Sequence, residues 1–187
     1  MVTRRVGNGR ANALKQEIVI RVEERPQAPA EVVYDLLADL RSHLVWAGER
    51  QGKKTRLVSL EAPEGPAGVG TEFRTEGTDP MGQFTDVSVV TEATRPRVFE
   101  FVTEACLQTK KGKRVDWTNV HRYELVSEGG SCRIRCTVRI TRISELPGML
   151  AVFKVPVLSA LALKASEGLA RRGVRNLARM AEQRTGA

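Results

Sequence analysis

Trp117, Asn119, His121 and Tyr123 stand at alternate positions in the stretch from Val115 to Val126. Alternate side chains of a β-strand share a face, so a strand here would gather an indole, a carboxamide, an imidazole and a phenol on one side. That mixture is unusual for plain core, because a buried polar group without a partner costs about 1–3 kcal/mol. The set suits the few polar contacts that orient an otherwise apolar molecule, and His121 with Tyr123 could also serve as general acid and base. Two plainer arrangements compete with it: the outer half of the strand protrudes and His121 is solvated, or a bulge shifts the parity.

Other chemistry is not signalled. The sequence has no Gly-x-Ser-x-Gly, no Walker loop and no dinucleotide fingerprint, and the glycines from Gly65 to Gly70 lead into a strand pattern rather than a helix. His43 and His121 are the only histidines, and the three cysteines lack Cys-x-x-Cys spacing, so the ligands for structural zinc are too few. No metal and no cofactor is expected, and no catalytic residue is assigned. Cys132 and Cys136 fall on one strand pattern about 13 Å apart, beyond disulfide reach. With Cys106 they read as small, reduced core residues of an intracellular protein.

The formal charge of +8 belongs to the two ends. Arg4, Arg5, Arg10 and Lys15 lie in the first fifteen residues, and residues 164–187 carry six bases against two acids. Aromatic-flanked basic clusters are absent, so nucleic-acid binding is not expected; a transient contact of the basic ends with an anionic membrane surface stays open. The longest uncharged stretch, Val155 to Leu163, is less than half of the roughly 20 residues a bilayer span needs. The N-terminus has no apolar signal region. The default location is therefore the cytoplasm, and the oligomeric state is not legible.

The elements that must position these residues follow from periodicity. Residues 1–15 lack apolar patterning and are expected to form a basic, disordered arm, leaving 16–187 as one domain. Glu17 to Glu23 alternates charge with isoleucine and valine, the pattern of a half-buried strand. Pro29 then starts a helix whose stripe is Val32, Val33, Leu36, Leu37 and Leu40, and Ser42 is expected to cap a second short helix through Trp46. Strand patterns follow at Arg56 to Leu60, Thr71 to Thr75, Gln83 to Thr91, Val98 to Cys106, Val115 to Val126 and Cys132 to Ile143, the last two joined by a Gly129-Gly130 turn. From Pro156 the pattern is helical to about Arg184, with Leu161, Ala165 and Leu169 on the apolar stripe. Helices segregated at one face of an antiparallel sheet make an α+β domain.

The order of these signals resembles a known family. Ala28-Pro29-Ala30-Glu31-Val32-Val33-Tyr34-Asp35-Leu36-Leu37, then Trp46, Gly68-Val69-Gly70-Thr71, Val98-Phe99-Glu100-Phe101 and Arg122-Tyr123-Glu124-Leu125 before Gly129-Gly130 are similar to the SRPBCC superfamily of START-related and polyketide cyclase/dehydrase-like proteins. Ser131-Cys132 departs from the usual Gly-Gly-Thr. The resemblance implies a helix-grip fold, with about seven curved antiparallel strands wrapped around the long C-terminal helix and an internal apolar pocket. Phe73, Phe84, Phe99, Phe101, Leu161, Ala165 and Leu169 would wall the pocket, and Trp117, Asn119, His121 and Tyr123 would supply its polar contacts. Two functions fit: a carrier or sensor of a small hydrophobic molecule such as a lipid, isoprenoid, quinone or polyketide, or a cyclase/aromatase-like enzyme promoting ring closure in the same pocket.

Overall fold

A computed structural model describes residues 12–49, 56–144 and 156–186. Seven strands form one antiparallel sheet: β1 (Asn12–Glu24), β2 (Arg56–Glu61), β3 (Glu72–Thr78), β4 (Gly82–Thr94), β5 (Val98–Thr109), β6 (Arg114–Glu128) and β7 (Ser131–Ile143). Their spatial order is β1-β7-β6-β5-β4-β3-β2, so every neighbour except the β1–β7 pair is also a neighbour in sequence. The hairpins close locally. Gly129 supplies the left-handed backbone of the β6–β7 turn at φ +70°, and the Ser131 hydroxyl donates to the Glu128 carbonyl across it at 2.9 Å.

Strand β1 reaches back to Asn12, so residues 12–15 of the segment expected as an arm lie in a strand, Asn12 and Ala13 opposite Ile143 and Arg142 of β7. Residues 1–11 lie outside the described residues.

Helix α1 (Ala30–Ala38) starts after Pro29, whose fixed φ suits the position, and buries Val33, Tyr34, Leu36 and Leu37. The short second helix differs from expectation. Residues 40–42 form a 3-10 turn and 44–49 a π-helical turn, and Ser42 does not cap: its hydroxyl donates to the Leu36 carbonyl at 2.6 Å and accepts the Trp46 indole N–H at 3.1 Å. A side chain spent on tying the turn to α1 is not available for a helix end. Helix α2 (Pro156–Thr185) is continuous over 30 residues, and its C-terminal half presents Val174, Leu177, Ala178 and Ala181 to the core. The side chains of Leu161 and Ala165 lie outside the described residues, while Leu169 is half-buried. No described helix is long and apolar enough to cross a membrane.

Candidate functional site

Partners across an antiparallel ladder share a face, so the register sorts the concave side of the sheet into rows. One row runs Phe99, Tyr123, Cys136 and Val22, and the next Val90, Phe101, His121, Val138 and Ile20. The third is Phe73, Ser88, Thr103, Asn119 and Ile140; the fourth is Thr75, Asp86, Ala105, Trp117 and Ile143. A last row carries Gly77, Phe84, Leu107 and Val115. Trp117, Asn119, His121 and Tyr123 are therefore on the face of Phe99 and Phe101. The β6–β7 ladder does shift, between Thr118 and Asn119, but the extra residue is on β7, and the β5–β6 pairing runs unbroken from Val98↔Glu124 to Gln108↔Arg114. Parity on β6 survives the bulge because β5 carries it.

The first two rows form an aromatic block. Phe101 meets Phe73 at 5.3 Å and Phe99 at 6.3 Å, centroid to centroid, and stacks on His121 at 4.7 Å with the rings 11° apart. From the helices, Tyr34 abuts Phe99 edge-on and Trp46 abuts Tyr123. His43 had no role in the sequence reading, since a short irregular segment offers no period to read. In the fold it is 4 % exposed, packs on Trp46 at 4.6 Å, and its Nε2 meets the Leu37 carbonyl at 3.0 Å. The Asn176 carboxamide of α2 donates to the Trp46 carbonyl, locking the turn to the long helix. Burial pushes His43 down to about 4, and burial together with the nearby His43 pushes His121 down to about 4. Both imidazoles are neutral at pH 7. The Tyr123 hydroxyl is pushed well up by burial, with Cys136 adding to the shift.

The third and fourth rows differ in kind. Their middle positions are small or polar: Ser88 and Thr103 are buried and hydrogen-bond each other at 2.9 Å, and Ala105 is buried beside them. Thr75 donates to one carboxyl oxygen of Asp86 at 3.2 Å. The other oxygen, Oδ1, is buried with no partner among the described residues, and so is Oδ1 of Asn119. Burial raises Asp86 to about 6, against the smaller opposing effect of the Thr75 hydrogen bond. Asp86 went unread in the sequence although the signal was there: the parity that turns Phe84 inward in Gln83 to Thr91 turns Asp86 and Ser88 inward too. Phe84 itself lies over Gly77 on the neighbouring strand, where a Cβ would collide with its ring, and it stands apart from the aromatic block.

The opposite, convex face mixes charged side chains with exposed Val87, Val89 and Val126. Arg122 pairs there with Glu92, Glu100 and Glu124 at 2.6, 3.1 and 3.3 Å. A depression of about 460 Å³ lined by Arg41, Leu44, Leu60, Glu61 and Ala62 contains none of the concave-face residues. Among the described residues no cluster of three potential metal ligands occurs.

No family model matches this sequence, and no curated protein does. Solved structures do. An uncharacterised protein from Rhizobium leguminosarum superposes with a TM-score of 0.63 at 11% identity, over 92% of this chain and 98% of that one. Protein CV1439 from Chromobacterium violaceum gives 0.58 at 13% identity over 88% and 96%. The fold is the helix-grip fold, a curved antiparallel sheet with a long C-terminal helix. The ginseng major latex-like protein 151 from Panax ginseng has the same helix-grip architecture, with a TM-score of 0.54 at 9% identity over 88% of this chain and 97% of that one. At such identities the helix-grip likeness speaks for the backbone; the chemistry must come from the rows above.

Proposed function

We propose that this helix-grip protein binds a small, mostly apolar molecule against the concave face of its sheet, as a carrier or sensor. The observation that carries this reading is the change of side-chain size along the strands. The centre of rows one and two is packed with rings, Phe99 and Tyr123 and then Phe101 and His121, whereas the small Ser88, Thr103 and Ala105 floor the rows beyond them. A core built only for stability would place large aliphatic groups there. Sites for small molecules instead combine apolar walls with a few convergent polar groups. Phe101, His121 and Trp117 wall one side, and Asn119 supplies a hydrogen-bonding group.

The test is titration with the neutral dye Nile red. The wild type is expected to bind and enhance its fluorescence, His121→Leu to change the affinity without unfolding the domain, and Ala105→Leu to weaken binding by about tenfold by occupying the floor. A folded wild type that leaves the dye unbound, or an Ala105→Leu variant with unchanged affinity, overturns the reading. Turnover of a polyketone abolished by His121→Leu would move the protein into the cyclase class instead.

A further inference from the structure

Two buried oxygen atoms on the concave face, Asp86 Oδ1 and Asn119 Oδ1, have no hydrogen-bond partner among the described residues. Both are acceptors. Each unmet acceptor costs on the order of 1–3 kcal/mol, and other polar groups of the same band are satisfied internally: Ser88 by Thr103, and Asp86 Oδ2 by Thr75. The two unmet atoms come from adjacent rows on β4 and β6, with only the small Thr103 and Ala105 of β5 between them. They therefore flank the buried small-residue patch of Thr103 and Ala105 on the inner face. Among the described residues no lysine or arginine stands on the inner rows beside Asp86; bases of these strands such as Arg122, Arg135 and Arg139 point to the other face.

Resting on the binding function proposed above, we infer that the bound molecule carries a hydrogen-bond-donating head, a hydroxyl or a protonated amine, seated between Asp86 and Asn119, with its apolar body against Phe101, His121 and Trp117. An ammonium, with three N–H donors, can meet both orphaned oxygens at once, and a hydroxyl, with one O–H, meets one of them. A carboxylate or phosphate does the reverse: it brings only acceptors, and a negative charge beside a buried carboxyl. The patch thus selects head-group chemistry by rejection as much as by attraction. Asp86 also distinguishes the two donors. An ammonium gains a charge-assisted bond from an ionised Asp86, whereas a hydroxyl needs only an acceptor.

The experiment is displacement of Nile red from the full chain by three ligands of one chain length, 1-decanol, decylamine and decanoate, at neutral pH. At least one donor-headed ligand should compete at a concentration about tenfold or more below that of decanoate. Asp86→Asn should cost decylamine about tenfold and 1-decanol little, since the carboxamide keeps an acceptor. Asn119→Leu should weaken both donor-headed ligands and leave decanoate unchanged. Equal competition by all three, or decanoate binding tightest, overturns the inference while leaving the binding function standing. Retained head-group preference in both variants would also overturn it, because the selection would then arise elsewhere. Failure of the dye and of every ligand to bind removes the binding function and the inference with it.

Discussion

The aromatic block and the polar band occupy the same face of the same three central strands, one row apart, and they are built on opposite terms. In the block, rings meet rings, His43 is hydrogen-bonded to Leu37, and Trp46 is held by both Ser42 and Asn176. In the band, small side chains leave two buried acceptors unmet and hold a carboxyl whose affinity for its proton is raised. Unsatisfied groups cost stability, so a region that keeps them beside a well-packed block points to work other than folding. The difference separates what holds this chain together from what it offers a ligand.

Truncation should break that comparison most strongly in the block. Phe99 is fully buried and packs on Tyr34 at 5.9 Å, so Phe99→Ala is expected to lower unfolding free energy by about 3–5 kcal/mol in a urea titration. Thr103→Ala, one row from Phe101 in the band, should cost far less. Comparable losses at the two sites would show that the band is structural core.

Acid should sharpen the contrast, because the block and the band titrate with opposite signs. His43 takes up a proton near 6.5 when unfolded and near 4 when folded. Between those values the unfolded state binds more protons, so its contribution to stability falls as pH drops from 6.5 to 4, by about 3 kcal/mol in all. Asp86 runs from 3.8 unfolded to about 6 folded. Here the folded state binds more protons, and the destabilisation it causes grows as pH rises from 3.8 to 6 and is complete above. Asp86→Asn should therefore stabilise the protein above pH 6, by at most about 3 kcal/mol, and change little below pH 4. Chemical denaturation of wild type and variant across pH measures both effects. A variant that is less stable at neutral pH would mean that Asp86 has a partner the band does not show.

The smallest effect belongs to the convex face. Arg122 is 29% exposed and shares three carboxylates, so Arg122→Ala should cost about 1 kcal/mol or less in stability and leave Nile red affinity unchanged. Loss of binding in this variant, with none in His121→Leu, would place the site on the wrong side of the sheet.

Much of this was legible in the sequence. The alternation in Cys132 to Ile143, the stripe of α1, the long C-terminal pattern and the Gly129-Gly130 turn determined an antiparallel sheet with its helices segregated, because period and turn chemistry are local properties of the chain. Parity alone placed Trp117, Asn119, His121 and Tyr123 on one face. The tertiary structure decided what those positions meet. Whether a bulge on β7 would turn β6 over depended on the unbroken ladder to β5, a contact between strands. His43 enters the core through a 3-10 and π-helical turn that has no period, and Ser42 is drawn to the Leu36 carbonyl and the Trp46 indole rather than to a helix end. That Asp86 and Asn119 flank the same small-residue patch, both with an oxygen unmet, is a matter of register across β4, β5 and β6. A sequence fixes which side of its own strand a residue faces; only the pairing of strands fixes its neighbours.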